Sequence, residues 1–215
     1  MVDLPANKRP IAVKWIYKLK HLPDGTIAKY KARLVANGFL QKPGIDFTEV
    51  FAPVARLETV RLVVAIANQF QWEFVQLDVK SAFLNGKLEE EVYVEQPQGF
   101  IAKGKEDQVL KLNKALYGLR QAPRAWNIRM DDFLSKNGYT KCTVEHGIYV
   151  KGTSQNRICM VCLYVDDLLI TGSSKMEIVK LTKQLSSEFD MTNLGGLRYF
   201  LGLEFTKTGS GLLIH

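Results

Sequence analysis

The sequence is poor in cysteine and histidine and has no long apolar run. Three cysteines in 215 residues, Cys142, Cys159 and Cys162, cannot build a disulfide framework, and a reducing intracellular setting fits that count. Cys159 and Cys162 have the spacing of half a zinc site, but there is no second pair, so core packing is the expectation for both. His21, His146 and His215 are scattered and show neither metal-ligand spacing nor a triad arrangement. No stretch of about 18 apolar residues exists, which excludes a membrane-spanning helix and argues against a membrane partner. The opening residues, Met1 to Arg9, are polar and lack the apolar centre of a signal peptide. Internal repeats and low-complexity linkers are missing too.

What is present suits a packed core: 47% of residues are apolar and 24% charged, enough for one domain or two small lobes. The net charge is +7 and it is one-sided. Residues 1 to 45 hold nine Lys and Arg against two Asp, and the rest of the chain holds 20 basic and 20 acidic side chains. A basic lobe of that kind fits a polyanion partner; a solvated surface with a basic bias fits the charge alone equally well.

Two strand-like runs, 11 to 20 and 27 to 36, flank the turn signal Pro23-Asp24-Gly25 and predict a basic β-hairpin. Leu57, Val60, Val63, Val64 and Ala67 recur at helical spacing. Trp72 to Leu77 reads as a buried strand with Asp78 at its end, Asn85-Gly86 as a turn, and Val92 to Val94 as a short strand. Residues 99 to 107 form a polar loop, followed by a short strand over 109 to 112. Pro123 suits the first turn of a helix carrying Trp126, Met130, Phe133 and Leu134, which Asn137-Gly138 ends. Strands are expected at 147–150, 158–164 and 168–171, with a polar turn at 151–157. Ser174-x-x-Glu177 is a capping box that opens a helix with Ile178, Leu181, Leu185 and Phe189 on one face. A strand pair, 199–206 and 212 to the end, closes the chain. Irregular alternation with hairpins predicts an α+β fold with a mostly antiparallel sheet.

Chemistry concentrates in the run from Cys159 to Ile170, where Asp166 and Asp167 interrupt apolar residues. Adjacent strand residues point to opposite faces, so a tight turn between two strands is the better geometry for the pair. Burying carboxylates without partners costs several kcal/mol, an expense a bound divalent cation would offset. A plain hairpin turn with two solvated Asp residues explains the pair alone equally well. Asp78 ends a second apolar strand. Three carboxylates brought together by two central strands would make a two-metal phosphoryl-transfer site.

At this point the chain resembles the reverse transcriptase of copia-type (pseudovirus) LTR retrotransposon Pol polyproteins. The matching segments are Lys31-Ala-Arg-Leu-Val-Ala36, Phe51-Ala-Pro-Val54, Leu77-Asp-Val-Lys-Ser-Ala-Phe-Leu-Asn-Gly86, Glu91-Val-Tyr93 and Gln96-Pro-Gln-Gly-Phe100. Leu116-Tyr-Gly-Leu-Arg-Gln-Ala-Pro-Arg-Ala-Trp126, Tyr164-Val-Asp-Asp167 and Tyr199-Phe-Leu-Gly202 follow in the family's order. The set covers roughly residues 11 to 205.

The resemblance implies right-hand polymerase fingers and palm. The fingers would occupy mainly residues 1–77, together with the first palm helix. The palm would occupy mainly 78–205 and a primer-grip-like hairpin 199–215, with the thumb absent from this stretch. It implies that Asp78, Asp166 and Asp167, with the carbonyl of Val79, bind two Mg²⁺ ions, Mn²⁺ being an alternative. Phe83 matches an aromatic steric gate against a ribose 2′-hydroxyl. Tyr117, Gly118, Arg120, Gln121 and Pro123 fall in the nucleotide- and template-pocket motif. Tyr117 departs from the retroviral glutamine there. Lys18, Lys20, Lys31 and Arg33 are candidates to clamp the triphosphate or track the template. Tyr164, Phe200, Leu201 and Gly202 would meet the primer. The implied partners are an RNA template, a DNA or tRNA primer and dNTPs, with integrase and RNase H in the same polyprotein. The implied setting is a cytoplasmic virus-like particle, with a nuclear phase of the element. The rival readings are a truncated remnant that only binds nucleic acid, and another palm-type nucleotidyl transferase such as a nucleotide cyclase.

Overall fold

The computed structural model describes residues 1–22, 24–152, 157–209 and 211–215, so Pro23 of the expected hairpin turn and residues 153–156 of the expected polar turn lie outside the described residues. Along the chain run β1 (Val13–His21), β2 (Ile27–Ala36), α1 (Leu57–Gln69), β3 (Phe74–Val79), β4 (Tyr93–Val94), β5 (Leu110–Lys111), α2 (Ala122–Lys136), β6 (Thr140–Lys141), β7 (Ile148–Lys151), β8 (Cys159–Tyr164), β9 (Asp167–Gly172), α3 (Lys175–Glu188), β10 (Met191–Gly195), β11 (Tyr199–Phe200), β12 (Leu203–Thr208) and β13 (Gly211–Ile214). All the paired strands among the described residues are antiparallel. The expected α+β class with an antiparallel sheet is what the chain adopts.

The chain divides into two compact units. The first comprises Met1–Ala52 and Phe83–Arg129. Its outstanding element is the β1–β2 hairpin, in register from Val13 opposite Ala36 to Lys20 opposite Lys29. Asp24 closes the turn: its Oδ1 accepts from the Thr26 amide at 2.9 Å, and Gly25 takes φ +86°. At the other end of the hairpin sits a core of mostly small and β-branched side chains, including Ile11, Ala36, Val92, Val94, Ala115, Ala122 and Ala125. Small residues let backbones approach closely there. The Ala36 amide donates to the Tyr117 carbonyl at 2.7 Å, and a Cβ on Gly118 would fall 2.1 Å from the Ala36 oxygen.

The second unit comprises Pro53–Ala82 and Met130–His215. Its six-stranded sheet has the order β10-β3-β9-β8-β7-β6. In β9, Leu168, Leu169 and Ile170 are all fully buried, so successive side chains are covered whichever face they occupy. Each contributes about 1.5–3 kcal/mol of apolar burial. Val60, Val63 and Val64 of α1 join Ile148, Cys162, Leu169, Phe200 and Phe205 in one core. α3 buries Ile178, Leu181 and Leu185 and is capped as expected, Ser174 accepting from the Glu177 amide.

Two expectations are corrected, and one strand is added. The third strand is Phe74–Val79 and not 72–77, because Gln71 turns with φ +56° and the Trp72 amide still donates to Ala67 in the end of α1. Asp78 therefore lies inside the strand. The closing strand pair is three strands, because Leu201 and Gly202, at φ +52° and +82°, form a tight turn within 199–206. β10 went unforeseen: its polar sequence carries no alternation, and only pairing with β3 makes it a strand.

Candidate active site

Asp78 in β3 stands directly opposite Asp167, the first residue of β9. On the other side of Asp167, Tyr164 ends β8, so Val165 and Asp166 alone form the hairpin loop. Sequence reasoning placed both aspartates in the turn; the register puts one in the turn and one in the ladder. The Val79 amide donates to the Asp166 carbonyl at 2.8 Å, tying the loop's backbone to β3. Val165 has φ +53°. A positive φ at the first loop residue followed by a negative one has the signs of a type II′ turn, a place that favours glycine. A β-branched residue there stores strain on the order of 1–3 kcal/mol.

The three carboxylates share one electrostatic neighbourhood. Burial first, then the charges of Asp166 and Asp78, push the Asp167 carboxyl up to about 6. Among the described residues, no three His, Cys, Asp or Glu side chains are gathered as a finished metal-ligand group. The donor chemistry nonetheless fits a hard divalent cation: all three groups offer carboxylate oxygens, and a cation would offset both the burial and the mutual repulsion that raise Asp167.

In the first unit, Phe83 is half-buried, its ring centroid 5.2 Å from that of Tyr117. The Arg33 guanidinium lies over the Tyr117 ring at 5.2 Å, a cation–π contact worth about 0.5–2 kcal/mol. Arg33 shares a hairpin face with Lys18, Lys20 and Lys31, because Lys18 is opposite Lys31, Ile16 opposite Arg33 and Lys20 opposite Lys29. Like charges directly opposite destabilise a ladder, so this face carries its charge at a cost to the fold.

Gln121 is buried. It accepts from Gln41 Nε2 and donates to the Asp46 carbonyl, both at 2.9 Å. Arg120 is tethered as well: its amide donates to Gln41 Oε1 at 2.8 Å and its Nε to the Gly38 carbonyl at 3.1 Å. Gln41 is thus a residue that sequence reasoning missed; a lone glutamine in a loop gives no signal of its burial. Pro123 lies in the first turn of α2.

Of the primer candidates, Tyr164 is half-buried against the core of the second unit, Phe200 is inside that core, and Leu201 packs on it. Gly202 is exposed in the turn. Glu145 was also missed. This nearly buried carboxylate accepts from Thr59 Oγ1 at 2.9 Å beside a backbone brace in which the Ala55 amide donates to Leu163 and the Leu163 amide to Gly147. A Cβ on Gly147 would sit 2.1 Å from the Ala55 nitrogen, so the brace needs glycine there. Leu163 is two residues before the strained Val165. Cys159 and Cys162 are free, buried thiols.

The class is that of an α+β chain whose second unit opposes two aspartates across an antiparallel ladder with a third in the adjoining hairpin loop, and whose first unit carries a basic hairpin. The family follows from comparison: the chain belongs to the reverse transcriptase (RNA-dependent DNA polymerase) family, which matches residues 1–215. It is 47% identical over 207 residues to the Retrovirus-related Pol polyprotein from transposon TNT 1-94 of Nicotiana tabacum, covering 96% of this chain and 16% of that protein. It is 39% identical over 208 residues to the Retrovirus-related Pol polyprotein from transposon RE1 of Arabidopsis thaliana, covering 97% of this chain and 14% of that one. A Putative transposon Ty5-1 protein of Saccharomyces cerevisiae is 37% identical over 135 residues, 63% of this chain and 44% of the relative. The plant relatives are copia-type Pol polyproteins, so the family read from the ordered motifs is borne out. The chain spans about a sixth of the length of the first of them.

Proposed function

We propose that this chain is the fingers and palm of an RNA-directed DNA polymerase, adding deoxynucleotides to a primer 3′ end under template direction. The observation that carries the reading is the opposition of Asp78 and Asp167 across β3 and β9 with Asp166 in the adjoining loop. Residues 1–77 supply mainly fingers with the first palm helix, 78–205 mainly palm, and 199–215 a primer-grip-like hairpin. Asp78, Asp166, Asp167 and the Val79 carbonyl would hold two Mg²⁺ ions, with Mn²⁺ an alternative. Bound there, the ions would supply activation of the primer 3′-oxygen and neutralisation of the triphosphate and departing pyrophosphate. Phe83 excludes a 2′-hydroxyl by bulk. Lys18, Lys20, Lys31 and Arg33 bind phosphates, and Tyr117, Gly118, Arg120 and Gln121 shape the nucleotide pocket. Tyr164 and the Phe200–Gly202 turn position the primer. The template is RNA, the primer DNA or tRNA, and integrase and RNase H belong to the same polyprotein, working in a cytoplasmic virus-like particle with a nuclear phase of the element.

Primer extension with Mg²⁺ or Mn²⁺ tests the reading. Wild type is expected to add dNTPs in a template-dependent way, and Asp166→Asn to lose at least about a hundredfold in rate, the scale of one removed charge stabiliser. Equal, poor extension by both proteins would leave the remnant that only binds nucleic acid. Template-independent turnover of a nucleotide would point to a cyclase-like transferase.

A further inference from the structure

The β1–β2 hairpin has two chemically distinct faces. Residues directly opposite each other in an antiparallel pair point the same way, and each strand alternates. The register therefore puts Lys14, Lys18, Lys20, Lys29, Lys31 and Arg33 on one face with Ile16 and Val35. The other face carries Trp15 opposite Leu34, Tyr17 opposite Ala32 and Leu19 opposite Tyr30, with no charge at all. Tyr17 and Tyr30 are each 74% exposed and Leu19 51%. At the base of this face Trp15 meets the Phe100 ring at 5.6 Å, and Phe100 is itself exposed. The basic face turns Arg33 onto Tyr117, so the aromatic face is directed away from that contact.

We propose that the aromatic face is a stacking platform for unpaired bases of a single-stranded nucleic acid. Tyr17 and Tyr30 are diagonal neighbours across the ladder, close enough for bases of one strand to lie on both rings. Lys18 and Lys20 flank Leu19 in sequence, and Lys29 and Lys31 flank Tyr30, their side chains on the opposite face, so rings and cations alternate along both strands of the one hairpin. Exposed aromatics interleaved with cations are the recipe for binding single strands without reading their sequence. The charge argues against a protein partner or a second copy, since a +7 segment repels its own duplicate and favours a polyanion. The inference names a surface for the strand that the polymerase reading requires and rests on that reading for its use.

The test is fluorescence anisotropy of the 215-residue chain with an oligothymidylate and with an abasic strand of equal length. Wild type is expected to bind the base-bearing strand at least about tenfold more tightly. Tyr17→Ser combined with Tyr30→Ser removes that preference and leaves the abasic affinity unchanged, while the Tyr17→Phe, Tyr30→Phe pair keeps it. Circular dichroism confirms that each variant is folded. A preference that survives the Ser pair, equal binding of both strands by wild type, or a wild-type dimer that the Ser pair splits without altering strand binding would each overturn the proposal. The readout needs no catalysis: Asp166→Asn keeps the base preference, and a chain that stacks bases but extends no primer would sink the polymerase reading alone.

Discussion

At the scale of single residues, Asp167 carries the sharpest consequence. Burial, then the charges of Asp166 and Asp78, push its carboxyl up to about 6 from an ordinary 3.8. Between those values the folded state holds more protons than the unfolded one, so stability falls as pH rises through that window and the penalty is complete above it. Asp167→Asn removes the penalty. The variant is expected to melt above wild type at about pH 7 and to converge with it near pH 4; thermal melts across that range check this, and a pH-independent gap would place the cause elsewhere. Phe83 carries a second expectation. Phe83→Ala should relax discrimination against ribonucleotides about tenfold or more, read as the ratio of dNTP to rNTP incorporation, since the loss is that of a steric wall. An unchanged ratio would make Phe83 only the packing partner of Tyr117. The aspartates stood out as candidates because charge interrupting an apolar strand is anomalous. Gln41 and Glu145 were not: a buried polar residue looks like a surface one until its partners, 80 and 86 residues away, are brought to it.

At the scale of elements, the long periodic segments were readable and the connections were less so. α1, α2 and α3 begin and end within a residue or two of their sequence signals, because heptad-like spacing, Pro123 and the Ser174 cap are local. β10 and the turn at Leu201-Gly202 depend on partners or on backbone angles that composition does not encode. The glycines show how such contacts set limits. Gly118 has φ +91° and an added Cβ would meet the Ala36 oxygen, whereas Gly104 has φ +76° with open space around it. Gly104→Ala is expected to cost about 1 kcal/mol of stability, from backbone strain alone, and Gly118→Ala clearly more. Urea unfolding of the two variants separates strain from collision; equal costs would mean that the loop at 116–121 yields to β2 without resistance.

At the scale of the whole molecule, charge placement connects the fold to the proposed polyanion partner. The excess of cations in residues 1 to 45 was legible at once, but its direction was not: only the pairing register shows that six cations gather on one face of the hairpin and leave the other to aromatics. A ladder with Lys18 opposite Lys31 and Lys20 opposite Lys29 is less stable than one with mixed charge, and a bound polyanion removes that repulsion. Such binding should release counterions in proportion to the phosphates neutralised, about 0.7 per phosphate on a single strand. Replacing Lys18, Lys20, Lys31 and Arg33 by Gln therefore should flatten the slope of log affinity against log salt by up to about 3, with the variant and wild type converging at high salt. The two tyrosines on the opposite face should leave that slope alone and alter the base preference instead, so the two faces are separable in one titration series. A slope unmoved by losing four cations would mean that the basic face is a solvated surface, and that phosphate recognition lies elsewhere in the chain.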